Sequence, residues 1–234
     1  GKVQQGLGNE FHEGHYNIGF WFWELPEFPE RFIDSFNNLD EIWVASAFCQ
    51  DAISQVSPVP VTRIPLCIEL DLSVHMDRGQ LEIPEKGYIF LAIMDMMSIP
   101  ERKNPLGVLQ AFNRAFGKKS SGVYLVLKLS NFERCEPEYR KKLESYLRQE
   151  NIIVIDQYLN RNELTALMNS VDCYFAMHRS EGFGLPIAEC MFLGKPVIAT
   201  GWSSNMDFMN QNNSLPVRYK LIELDTVYGP YERG

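Results

Sequence analysis

From Tyr88 onward, short and nearly all-apolar runs alternate with stretches whose apolar residues recur at helical spacing, and this rhythm constrains the fold more than any other feature. Tyr88-Ile89-Phe90-Leu91-Ala92-Ile93-Met94 has no polar face, as a strand covered on both sides requires. After a polar loop, Asn104 offers an N-cap and Pro105 a first helical residue. Leu106, Leu109, Phe112 and Phe116 then line one helical face up to Gly117. The pattern repeats. Val123 to Lys128 reads as a strand, and Glu138 to Glu150 as a helix presenting Tyr139, Leu143, Tyr146 and Leu147. Ile152 to Ile155 is a strand, and Asn160-Arg161-Asn162-Glu163 opens a helix through Leu164, Leu167 and Met168 with an acidic residue three places after its cap. Val171 to Ala176, Pro186 to Leu193 and Val197 to Thr200 follow as strand, helix and strand, with Gly194 closing the helix. Such alternation implies an α/β class with a doubly wound parallel sheet and helices on both faces.

The first 70 residues carry the same rhythm more briefly. Ile18 to Phe22, Ile42 to Ala45 and Val61 to Ile64 are strand candidates; Arg31 to Phe36 and Phe48 to Val56 are helix candidates. Two or three units predict a partial α/β domain over 1–70, a linker over the mixed, polar 71–86, and a second Rossmann-like domain over 87–234. The sequence stops just after Tyr228-Gly229-Pro230-Tyr231 with no closing helix, from which both ends are expected to be cut from something longer. A net charge of −8 disfavours a nucleic-acid partner. No run of 18 or more apolar residues predicts a membrane-spanning helix, and Gly1-Lys2-Val3-Gln4-Gln5 does not read as a signal peptide. The five cysteines are scattered and form no C-x-x-C pair, so they read as buried thiols of a reducing, cytoplasmic setting rather than a disulfide frame or zinc site.

The stretch that carries chemistry runs from His178 to Glu189, between a strand ending near Met177 and the helix opened by Pro186. In a doubly wound fold this is the carboxyl edge of the sheet, where ligands bind. Gly182 and Gly184 permit a tight turn and close backbone approach. Free N–H groups and the dipole at the helix start favour an anion such as a phosphate, while Glu181 and Glu189 are poor phosphate neighbours but good acceptors for sugar hydroxyls. Phosphate and polyol together describe a sugar nucleotide. From spacing alone, a generic strand–turn–helix connection with solvated glutamates explains the stretch equally well. A second loop, Ser98 to Asn104, sets Arg102 and Lys103 beside a helix start: a phosphate cradle, or a solvated basic turn.

Glu181-Gly182-Phe183-Gly184-Leu185-Pro186 to Glu189, an E-x7-E arrangement followed by Gly194-Lys195-Pro196-Val197-Ile198-Ala199, resembles the signature of the family 4 retaining glycosyltransferases, the glycosyl transferases group 1. Glu101 to Pro105, Asn162-Glu163-Leu164 before Asp172, and Ile42 to Ser46 followed by Ile64-Pro65 resemble the same family, so the likeness runs from about residue 17 to 219. It implies a GT-B fold: two Rossmann-like domains, the second binding the nucleotide-sugar donor, with the active site in the cleft between them. It implies that Glu181 meets hydroxyls of the donor sugar and Glu189 the ribose. The backbone of Gly182, Phe183, Gly184 and Leu185 would hold the diphosphate, and Lys103 and Arg102 would offset its charge. Tyr158, after the strand ending at Ile155, would stack on the base. One departure stands out: the family often has an Arg five residues before the Lys, and here that position is Ser98.

The resemblance further implies transfer of a sugar from a nucleotide-sugar to an acceptor with retention, in polysaccharide or glycan assembly. Charge developing on the leaving diphosphate is the hard part of that reaction, and pre-placed cations and helix N–H donors stabilise it. No Asp-x-Asp motif for a divalent metal is present, so Lys103, Arg102 and Glu181 are the expected catalytic set, with no metal and no cofactor. The other readings are a non-catalytic nucleotide-sugar or phosphate-binding module, and another GT-B member such as a sugar-nucleotide epimerase or a phosphorylase. His178 is either a structural histidine or a ligand contact. His12 and His15, with Glu10 and Glu13 beside them, mimic a metal site without fixed geometry. Phe20 to Trp23 read as strand packing or, with Glu24, as the lining of an acceptor cleft; Trp202 to Asn205 read as a plain polar loop or a second approach to the sugar.

Overall fold

The computed structural model describes residues 11–119 and 122–231. Gly1 to Gln5, and Asn9 and Glu10 of the histidine-containing stretch, lie outside them.

The amino-terminal part forms a three-stranded parallel sheet in the order β1-β2-β3: β1 (Ile18–Trp21), β2 (Glu41–Val44) and β3 (Val61–Arg63). A 3-10 helix over Glu30–Phe36 connects β1 to β2, and α1 (Ala47–Ser54) connects β2 to β3. Ser46 caps α1 by accepting from the Cys49 N–H. Ile42, Val44, Cys49 and Ile53 pack with Trp23 and Phe36 into one small core.

The rest forms a six-stranded parallel sheet, order β6-β5-β4-β7-β8-β9. Its strands are β4 (Tyr88–Asp95), β5 (Val123–Ser130), β6 (Ile152–Ile155), β7 (Cys173–Ala176), β8 (Val197–Thr200) and β9 (Leu215–Val217). Renumbered from its own start, the order is 3-2-1-4-5-6, which reverses between β4 and β7. The helices are α2 (Pro100–Lys103), α3 (Pro105–Phe116), α4 (Pro137–Leu147), α5 (Arg161–Ser170) and α6 (Leu185–Phe192). Alternate residues of β4 serve opposite faces: Ile89 and Leu91 meet Leu167, Ile187 and Cys190, while Ala92 and Met94 meet Val108, Leu109 and Phe112. That two-sided burial is why β4 is apolar from Tyr88 to Met94. The caps act as their sequence suggests: Asn104 accepts from the Gly107 N–H, and Asn160 and Glu163 make a reciprocal capping box.

Four features depart from the sequence reading. The 71–86 stretch sends Leu81 and Ile83 into the core of the larger sheet, so it is anchored to that sheet rather than spanning freely. Strand β9 and the helical turn α2 are additional elements; each is too short for a periodic signal. Cys67 is exposed, whereas the other four cysteines are buried, and all five are free thiols. The segment after β9 crosses back to the smaller sheet, where Tyr231 is buried against Trp23 at 5.7 Å between ring centres.

The carboxyl edges of the two sheets meet. Ser46, just past β2, donates to Ser204 Oγ at 2.7 Å, and the Ala47 N–H donates to Asp207 Oδ2 at 2.7 Å. Arg63, ending β3, pairs with Asp207 at 3.5 Å. The Cys49 thiol donates to the Gly182 carbonyl. Among the described residues no helix is long and apolar enough to cross a membrane.

Candidate active site

The loops after β4 and β7 stand side by side because the strand order reverses there. After β4 the chain turns through Ile99, a β-branched residue held at φ +60, into α2. Such a conformation costs about 1–3 kcal/mol and persists only where its surroundings impose it; the Gly229 backbone of the returning segment packs on its side chain. Arg102 and Lys103 form the last residues of α2, directly before the Asn104 cap of α3. The Asn104 amide donates to the Met177 carbonyl at 2.8 Å, and the Arg179 N–H donates to the Arg102 carbonyl, so the two loops are stitched together.

Glu181 receives both cations: Lys103 Nζ lies 2.6 Å from Oε1 and Arg102 Nη1 3.1 Å from Oε2. Arg102 Nη1 also donates to the Ser180 carbonyl. All three side chains are mostly buried. Burial pushes the Glu181 carboxyl up, but Lys103 and Arg102 beside it prevail and hold it below the usual carboxylate range. Glu181 is further fixed by its own N–H, which donates to Ser203 Oγ at 2.8 Å. A carboxylate clamped by two cations is pre-charged, oriented and able to accept hydroxyl donors. Lys103 spends one N–H on Glu181 and has two more to offer an anion.

Helix α6 starts beside this cluster with Gly184 at φ +89 and no side-chain cap, which leaves its N-terminus open to an anion. Gly182 is closely approached: a Cβ there would sit 3.1 Å from Phe22 Cβ and 3.4 Å from Glu24 Oε1, both on the smaller sheet's side, and these neighbours would have to give by a few tenths of an ångström. Phe183 turns inward onto Phe208, Ala45 and Ala188, whereas Leu185 is exposed. Glu189 is buried within α6, and its carboxylate meets Arg161 Nη2 at 2.5 Å, with Arg161 half exposed at the start of α5. Tyr158 stands 89% exposed past β6 and makes no ring contact among the described residues. The structure thus gathers Arg102, Lys103, Glu181 and the 182–185 turn, sets Glu189 behind Arg161, and leaves Tyr158 apart.

Other readings resolve as well. Trp202 packs on Phe48 and Tyr219, and Ser204 and Asn205 make structural bonds, so this loop braces the Glu181 turn. Glu24 lies beside Gly182 and accepts from the Tyr231 hydroxyl at 2.9 Å. His12 rests against Asn17. His178 is buried under the Glu181 loop, and burial pushes its imidazole down to about 4, with Lys103 and Arg102 adding to the effect. The partners of Ser203, Arg161 and Tyr231 had no local signal, because each lies at least 22 residues away.

The family model for glycosyl transferases group 1 matches residues 75–214, more than half of the 234. The chain belongs to this family. Comparison with curated protein sequences finds no match. Among solved structures this group 1 chain resembles Anabaena Alr3699/HepE in complex with UDP and glucose, with a TM-score of 0.68 at 17% identity, covering 89% of this chain and 59% of that one. It also resembles TarM of S. aureus, with a TM-score of 0.65 at 14% identity, covering 92% and 43%. A third is a UDP-forming trehalose-phosphate synthase from Burkholderia xenovorans, with a TM-score of 0.65 at 11% identity, covering 88% and 58%. The chain therefore spans 43 to 59% of the length of these three. At these identities the likeness is one of fold, and the fold is Rossmann-like and of the GT-B type.

Proposed function

We infer that this group 1 chain is the donor-binding half, with an adjoining part of the acceptor half, of a family 4 retaining glycosyltransferase that uses a nucleotide-sugar donor. The observation that carries the reading is the meeting of Lys103, Arg102 and Glu181 with the uncapped start of α6, at the point where the strand order reverses. A diphosphate fits the two cations and the helix start; sugar hydroxyls fit the Glu181 carboxylate. Arg102 supplies the second positive charge that the family pattern draws from the position of Ser98. The negative charge that develops on the leaving diphosphate as the anomeric bond breaks is then stabilised by side chains and helix N–H groups, so the reaction is written without a metal ion. Glu189 serves the ribose once Arg161 gives way, and Tyr158, exposed at the same edge, serves the base. The UDP and glucose held by a structural relative support a nucleoside diphosphate sugar as the ligand class. A role in polysaccharide or glycan assembly, and a cytoplasmic setting, accord with this chemistry.

The test is calorimetric titration with UDP, GDP and ADP against their monophosphates. At least one diphosphate binds at least tenfold more tightly than its monophosphate, and Lys103→Ala removes most of that difference. Equal binding of mono- and diphosphates, or none, refutes the reading.

A further inference from the structure

Beneath the Glu181 loop lies a cavity of about 10 Å³, bounded by Ala92, Ile93 and Met94 of β4, by Tyr174 and Ala176 of β7, and by Gly184, Pro186 and Ile187 at the start of α6. Four side chains with polar atoms line it: Lys103, Glu181, His178 and Tyr174. Its position is the strand-order reversal itself, under the helix start proposed to hold the diphosphate. Its size admits one water-sized group and excludes a ring.

His178 is only 2% exposed, and neither of its ring nitrogens has a hydrogen-bond partner among the described residues. Buried polar groups nearly always find partners, and a donor or acceptor left without one is costly to the fold. Two such atoms on one ring, in a residue that lines a cavity shared with the site's carboxylate and lysine, mark a group kept for something that arrives later. With the imidazole pushed down to about 4 by burial, the ring is neutral at ordinary pH and presents one N–H donor and one acceptor. A neutral donor–acceptor pair matches a hydroxyl, which also donates one bond and accepts others. It does not match a phosphate, which offers acceptors and is served by the cations.

We propose that His178 is a specificity-determining donor contact, which with Glu181 receives one hydroxyl of the transferred sugar in this cavity. The assignment rests on the glycosyltransferase reading and deepens it: the cations and the start of α6 hold the diphosphate, and His178 reads the sugar beyond it. A second consequence follows. A side chain carried at a cost to the free protein is replaceable by an apolar one of similar volume without loss of stability.

The experiment measures binding of matched pairs to the whole chain: UDP with UDP-glucose and UDP-N-acetylglucosamine, GDP with GDP-mannose, and ADP with ADP-glucose. The wild-type protein shows a sugar increment, an affinity ratio of conjugate to diphosphate, for at least one pair. In His178→Leu the diphosphate affinity stays within about twofold, the sugar increment drops about tenfold, and the melting temperature is equal to or above that of the wild type. His178→Gln, which keeps a donor and an acceptor, restores part of the increment. A sugar increment that is absent from the wild type or unchanged in His178→Leu overturns the assignment. So does a loss shared equally by diphosphate and conjugate, or a lowered melting temperature in both variants, which marks His178 as a packing residue. Failure of every diphosphate to bind the wild type refutes the glycosyltransferase reading itself, a result distinct from these.

Discussion

Lys103 and Glu181 define the site at the scale of single residues, and their pairing sets how each variant should behave. Lys103→Ala leaves Glu181 with Arg102 alone and removes a charged donor from the proposed phosphate position. A hydrogen bond to a charged group contributes about 1.5–3 kcal/mol, so diphosphate affinity is expected to fall about 10- to 100-fold, read by calorimetry. The loss shrinks as salt rises, because the interaction is ionic. Acid stability follows from two shifts with one sign. The His178 ring titrates near 4 in the folded chain and at its ordinary 6.5 when unfolded, so the unfolded state takes up a proton first. Stability is therefore complete above about pH 6.5 and declines by about 3 kcal/mol as pH falls toward 4. Glu181, held below its ordinary 4.5, adds a further loss only below that value. Urea titrations at stepped pH should show both phases in the wild type and only the lower one in His178→Leu. The E-x7-E residues and Lys103 were legible in the sequence because motif and loop position are local. The pairing of Arg102 and Lys103 with the Glu181 carboxylate was not, since it joins residues 79 and 78 apart in sequence.

At the scale of elements, the strand–turn–helix unit of β7 and α6 does the positioning. Gly184 adopts φ +89, and an added Cβ would stand 3.3 Å from Ile187 Cδ1. Gly184→Ala is expected to cost about 1–2 kcal/mol from the left-handed backbone. That lowers the melting temperature by a few degrees and weakens diphosphate binding as the start of α6 shifts; scanning calorimetry and titration read the two effects. Asn104 has a double task as the cap of α3 and as the tie to the Met177 carbonyl. Asn104→Ala loses both bonds while keeping a positive φ, and should destabilise the chain by about 2 kcal/mol in urea titrations. Its cap was readable from Asn-Pro before an amphipathic run; its tie to β7 was not, because a cap motif specifies its own helix and not the neighbouring strand. The turn α2 escaped the sequence reading for a related reason: four residues are too few to display a helical period.

At the scale of the molecule, the two sheets are joined at their carboxyl edges by Ser46, Ala47 and Arg63 on one side and Ser204 and Asp207 on the other. Asp207→Ala removes the acceptor for both the Ala47 N–H and Arg63. Its unfolding should become less cooperative, with a calorimetric enthalpy exceeding the van't Hoff value by more than in the wild type. The alternation of strands and helices along the chain apart from β9 and α2, the caps at Asn104 and Asn160, and the loops at the carboxyl edge were determined by the sequence alone. Apolar period, capping chemistry and turn residues act within one element and its flanks, where each is encoded. Tertiary structure decided which groups face one another across those loops. Glu181 met Arg102 and Lys103, Glu189 met Arg161, and His178 met no hydrogen-bond partner among the described residues, because strand order brings together side chains far apart in the chain. Periodicity records which face of an element is apolar, but not which neighbour that face will find.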